Sequence, residues 1–216
     1  MTLMSIRVKL NCMKKTEKIK CVFDGIKSIY EGEVANGKFN GYGTLKSAQG
    51  TYVEGNFKDN KLTGQGIYTN VLNTFSEFHT KGSGEHTSKG HERIIGTFKN
   101  NIIDGFSNII YPNGDFRRVC FNEGKIDGVV IILNEEGSVY EYEKWKKGVT
   151  DEYENSHITN QIYEQKEKLI KNAQHTFFKT FEREFKEYGW YPSLLCSSKD
   201  KFKIKLDLWK EKYLLK

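Results

Sequence analysis

The chain has 216 residues, of which 37% are apolar and 13% aromatic, and it carries 20 glycines against 2 prolines. That balance can build a core, excludes collagen-like and proline-rich disordered chains, and favours many turns or close backbone contacts. Of the net charge of +6, residues 1–29 carry +5, residues 30–148 carry −1 and residues 149–216 carry +2, so a broad phosphate-neutralising face and a nucleic-acid partner are not expected.

The N-terminus reads as two strands. Ile6, Val8, Leu10 and Cys12 alternate with polar residues, and so do Ile19, Cys21 and Phe23. Joined through residues 13–17, they predict a basic-sided hairpin over 1–29 that caps the next element. Its lysines Lys14, Lys15, Lys18 and Lys20 read first as protection of an edge strand, with binding to anionic lipid as the alternative. Arg7 and Lys9 interrupt any signal-peptide core. Cys12, Cys21, Cys120 and Cys196 are too widely spaced for zinc and too few to staple the chain. An intracellular location is the expectation.

Residues 30–148 repeat. Gly32, Gly41 and Gly43 return as Gly55, Gly64 and Gly66, each 23 residues on. The pattern comes back at Gly96, Phe98 and Gly105, and a further step of 23 carries Phe98 to Phe121 and Gly105 to Gly128. A last, partial unit keeps Trp145 and Gly148 after a one-residue slip. Within a unit, Tyr30, Gly32 and Val34 alternate with polar residues, and Asn36-Gly37 and Asn113-Gly114 are turn dipeptides. Each unit is therefore a hairpin that must stack on its neighbours to bury its face. Glycines inside strands weaken them, so these are expected to make room for an aromatic ring or to tighten a bend. Gly55 and Gly96 are 41 residues apart. That interval predicts a decayed unit around 69–78 and an inserted loop over 80–93.

The run Tyr30-x-Gly32-x-Val34-x-Asn36-Gly37-x-x-x-Gly41-x-Gly43 resembles the MORN family repeat. The resemblance implies a mainly β, elongated solenoid of stacked hairpins forming a single-layer curved antiparallel sheet. Val119, Val130 and Tyr142 depart from the family's glycines. Small MORN proteins are found in cilia, flagella and other cytoskeletal structures, and MORN repeats have been associated with phosphoinositides.

After Gly148 the period stops, and 149–216 read as a helical extension. Ile162, Leu169, Ala173, Phe177, Phe181, Phe185 and Tyr188 recur at three- and four-residue steps, predicting an amphipathic helix over 156–188 with Ser156 as N-cap and Gly189 as stop. A shorter second helix is expected over 203–215, where a strand is also permitted. So aromatic a helix must fold back onto the sheet or dock on another chain.

No nucleophile elbow, zincin, kinase or phosphate-loop motif is present. His79, His86 and His91 lie in or beside a Gly-rich insertion that lacks rigid metal geometry, and Asp104 and Asp127 recur because the repeat recurs. No enzyme activity, metal, cofactor or small-molecule substrate is expected. The leading reading is a non-enzymatic protein-interaction scaffold in an axonemal, radial-spoke or cytoskeletal assembly. A membrane-linked adaptor and a regulatory subunit of an enzyme complex are the alternatives. Tyr42, Tyr52, Phe57, Phe98, Phe121, Phe177, Phe181 and Phe185 are the candidate contact residues. Tyr30, Gly32, Gly41, Gly43, Gly55, Gly64, Gly66, Gly96, Gly105 and Gly128 are assigned to the repeat itself.

Overall fold

A computed structural model describes residues 15–23, 25–70, 92–150, 160–192 and 194–214. Twelve strands form one open antiparallel sheet. They are β1 (Lys15–Phe23), β2 (Ile26–Ala35), β3 (Lys38–Ser47), β4 (Tyr52–Lys58), β5 (Lys61–Asn70), β6 (Glu92–Lys99), β7 (Ile102–Ile110), β8 (Phe116–Asn122), β9 (Lys125–Ile126), β10 (Gly128–Leu133), β11 (Val139–Lys146) and β12 (Val149–Thr150). Spatial order follows chain order, except that β9 and β10 share β8 as a partner. The mainly β stack of hairpins expected from the repeat is the fold, followed by helices α1 (Asn160–Tyr188) and α2 (Lys199–Leu214).

Two kinds of connection alternate along the sheet. Along one edge run five two-residue turns whose central residues both have positive φ, such as Asn36 and Gly37 at 53° and 71° and Asn100 and Asn101 at 55° and 72°. That is the φ signature of the type I′ turn, which Asn and Gly tolerate and which matches strand twist. Along the other edge lie wider loops closed by backbone bonds, Ser47 N–H to Thr51 O (2.9 Å), Tyr111 N–H to Asp115 O (2.9 Å) and Asn134 N–H to Ser138 O (3.0 Å).

Four of the five tight turns are stitched to the hairpin before them. Asn60, Asn101, Gly124 and Gly148 donate their N–H to the carbonyls of Phe39, Leu62, Ile103 and Ile126, at 2.7–3.1 Å. Two of the four add a side-chain bond: Phe39 N–H donates to Asn60 Oδ1 and Leu62 N–H to Asn101 Oδ1, both at 2.7 Å. These amides lie beside buried side chains, where an unmet donor is costly. Asn101→Gly, which keeps the positive φ but removes the acceptor, is expected to cost about 1–2 kcal/mol. Asn101→Ala adds backbone strain of about 1 kcal/mol. Urea denaturation of the two variants checks that order.

The register explains the glycine period. Gly32 pairs with Gly43, Gly43 with Gly55, Gly55 with Gly66 and Gly66 with Gly96. They form a row crossing five strands, continued by Ser107 and Val119. Side chains from neighbouring positions lie flat over this row. The Tyr30 ring occupies the space a Cβ on Gly43 would need, and the Leu62 methyls lie over Gly55 and Gly66. The sheet thus buries Tyr30, Phe39, Leu45, Phe57, Leu62, Phe98, Phe121 and Trp145 on this glycine side.

The opposite face carries the helices. Ile67, Ile95, Ile110, Phe116, Ile131 and Leu133 pack there against Phe177, Phe178 and Phe181 of α1 and Phe202, Leu206 and Trp209 of α2. The open choice between self-packing and partner docking is resolved: α1 folds back on its own sheet. Gly189, at φ 62°, ends α1, and its N–H donates to Phe185 O at 3.0 Å. Ser198 Oγ caps α2 by accepting from Lys201 N–H at 3.3 Å.

Several boundaries differ from expectation. β5 and β6 pair directly, with Gly66 opposite Gly96, so no decayed unit is interposed in the sheet. The interval of 41 residues is therefore one period, with its extra residues between β5 and β6. Thr69 and Asn70 close β5, and Glu92 and Arg93, expected within the inserted loop, open β6; residues 71–91 lie outside the described ones. Lys15, Thr16 and Glu17 are strand rather than turn, because β1 pairs along its whole length with β2. The hairpin at the N-terminal end is therefore β1–β2, which crosses the boundary expected at residue 29; Ile6 to Cys12 lie outside the described residues. Ser156 does too, and α1 begins at Asn160. In the last unit Glu143 faces Val130, so the glycine-row position falls to Glu143 and Tyr142 turns to the helices.

Candidate interaction surface

The helical layer covers β5 to β8 and β10, whose strands carry consecutive apolar residues such as Ile94-Ile95 and Ile109-Ile110. On β1 to β4 the same face is left uncovered by the described residues, apart from the buried Glu54. Its positions alternate with the buried glycine side, so polar and aromatic residues fill them: Lys18, Lys20 and Val22 on β1, Lys27, Ile29 and Glu31 on β2, Tyr42 and Lys46 on β3, Tyr52 and Glu54 on β4. Val22 is 69% exposed, Tyr42 48% and Ile29 41%. Ile29 lies opposite Lys20 on one side and Lys46 on the other, and Val22 opposite Lys27.

A polar cluster marks the seam between this bare area and α1. Glu54 is buried, and its two carboxylate oxygens accept from the hydroxyls of Tyr42 and Tyr52. Next to it Arg93 Nε donates to Glu184 Oε2 at 2.5 Å, and Nη1 to Thr69 Oγ1 at 3.2 Å. The guanidinium faces the rings of Tyr188 and Trp190, 5.2 and 5.3 Å from their centroids. Burial foremost, then Glu54, raises Tyr42 and Tyr52 above the usual phenol range. Burial raises Tyr188 as well.

Tyr30 is pushed up to about 12 by burial and then by Glu33, and burial with Glu92 raises Tyr111. A phenol whose folded pKa is raised stabilises the fold below its unfolded value near 10, and that contribution is lost as pH climbs through the folded value. Phenolate absorbance is expected to lag for these five tyrosines and then rise together with unfolding between about pH 10 and 12. Smooth titration near pH 10 without unfolding would contradict this.

Of the expected contact residues, only Tyr42 and Tyr52 lie on the uncovered part of the sheet. Phe57, Phe98 and Phe121 are buried on the glycine side, and Phe177 and Phe181 beneath the helices. This corrects their assignment as a partner surface: rings with no polar handle gain most by leaving water. Phe185 is half-buried, its ring 5.4 Å from that of Phe202. The lysines assigned to lipid do not make one patch. Lys15 shares the side of Ile19 and Cys21, Lys18 and Lys20 project from the helix side, and Lys14 lies outside the described residues.

The sequence reading missed Glu54, Arg93 and Glu184. A carboxylate inside the apolar stripe of α1 was the available signal. His79, His86 and His91 lie outside the described residues. Among the described residues no three His, Cys, Asp or Glu side chains converge on a metal-sized site, and no helix is long and apolar enough to cross a membrane.

A family model described as the MORN repeat matches residues 30–52, 54–70 and 95–116. These stretches are β2 to the start of β4, the rest of that strand with β5, and most of β6 with β7 and the loop after it. No curated protein matches the chain.

Proposed function

Because this chain is a MORN-repeat protein, we propose that it is a non-enzymatic scaffold that holds other proteins, in a ciliary, axonemal or cortical cytoskeletal assembly. MORN repeats are binding repeats rather than catalytic ones. The observation that carries the reading is the asymmetry of the sheet: its own helices cover one part of a face and leave the same face of β1 to β4 exposed, with Val22, Ile29 and Tyr42 in water. Stitched hairpins give that surface a rigid support, which limits the entropy lost on association. The cytoskeletal setting is supported by the layout alone, a short repeat stack followed by helices. Fractionation tests it. The protein is expected to stay with the detergent-insoluble ciliary or cytoskeletal pellet; complete recovery in the soluble fraction as a free monomer contradicts the proposal.

A further inference from the structure

We propose that the helix side of β1 to β4 docks an acidic amphipathic helix of a partner protein, laid against the C-terminal end of α1 as a further member of the helical layer. This rests on the scaffold reading and names the partner's chemistry. Val22 and Ile29 are diagonal neighbours across β1 and β2, close enough to form one apolar strip. Lys18, Lys20, Lys27 and Lys46 are all exposed around it. The exposed carboxylate within it, Glu31, is already held by Lys18 at 3.7 Å. A strip of this kind fits apolar side chains flanked by Asp and Glu.

The sheet geometry selects a helix over other occupants. The backbone groups of β2, β3 and β4 are paired on both sides within the sheet, so an added strand finds no ladder there and only side chains are offered. Strands about 4.8 Å apart make this region roughly 15–20 Å wide, room for one helix of about 10 Å diameter. An anionic bilayer fits less well. The C-terminal end of α1, where Tyr188 faces Arg93, stands above the sheet at the border of the strip by about one helix diameter, a step that a helix can lie against and a flat membrane cannot follow.

The test is selection on the full chain from a displayed library of 18-residue helices (a length matched to about 27 Å of helix) with a fixed apolar stripe and randomised flanks. Recovered helices are expected to carry Asp and Glu on the flanks. Their affinity for the Lys20→Glu, Lys27→Glu, Lys46→Glu variant should fall at least tenfold, while its thermal melt stays that of the parent. Ile29→Asp should weaken them as well. Recovery of neutral or basic flanks, equal binding to the charge-reversed chain, or charge-dependent binding to phosphatidylserine vesicles without acidic helices would each overturn the proposal. The scaffold reading fails separately, if the protein is a free monomer in native extract.

Discussion

Gly43→Ala is expected to be among the most damaging single-atom additions this chain can receive. A Cβ at Gly43 would lie 2.6 Å from both Cε2 and Cζ of Tyr30, well inside contact distance. The ring has nowhere to go. It is fully buried, stacked on Phe39 at a centroid distance of 3.7 Å and set edge-on to Phe57 at 5.3 Å. Its hydroxyl donates to Glu33 O at 2.9 Å. Overpacking a rigid site costs about 3 kcal/mol, which for a chain of this size lowers Tm by about 6–12 °C. Gly66→Ala is the control. Its Cβ would meet the Leu62 methyls at 3.1 and 3.2 Å and Glu54 O at 3.0 Å, a tighter fit that small shifts relieve, so a smaller loss of about 1–2 kcal/mol is expected. Tyr30→Leu should couple with Gly43→Ala, the double variant losing less than the two single losses combined. Strict additivity in urea denaturation would mean that the glycine row does not exist to seat the ring.

That glycine row was legible in the sequence because its cause is local and repeated. A ring laid across two strands needs an absent side chain on each, and the requirement recurs at the period of the hairpin. The helical layer was less legible. Alternation is readable on β1 to β4, where Tyr30 and Leu45 turn inward and Glu31 and Lys46 outward. It fails on Ile94-Ile95, Ile109-Ile110 and the run Val129 to Leu133, and that failure is itself the sign of a sheet covered on both faces. The long interval between Gly55 and Gly96 misled for a related reason. Spacing reports how many residues intervene between Gly55 and Gly96, while only strand pairing tells whether they add a hairpin or widen a turn. The seam of Glu54, Arg93 and Glu184 had no local signature, since it joins β4, β6 and α1 across 91 residues of sequence between Arg93 and Glu184.

Glu184→Ala should release the helical layer. The Arg93–Glu184 pair is withdrawn from solvent, with side chains 5% and 0% exposed, and Arg183 adds bonds to Glu184 Oε1 at 3.2 and 3.0 Å. Removing the carboxylate leaves the Arg93 guanidinium buried with Thr69 and two aromatic faces as company, and a stranded buried charge costs about 3–5 kcal/mol. The loss falls on the contact between α1 and the sheet. Amide exchange is therefore expected to quicken first in α1 and α2, while the tight turns and their stitches on β2 to β5 keep their protection. The double variant Arg93→Met, Glu184→Leu removes both charges at similar volume and should regain most of the stability, since well-packed apolar replacements of buried pairs are often neutral or better. Its cost would appear in register: Ile110 and Phe116 offer α1 an apolar bed along which it can slide, and the ion pair is the directional contact that fixes where it stops. Equal exchange rates in Glu184→Ala and the parent would refute this role, as would a double variant no more stable than the single one.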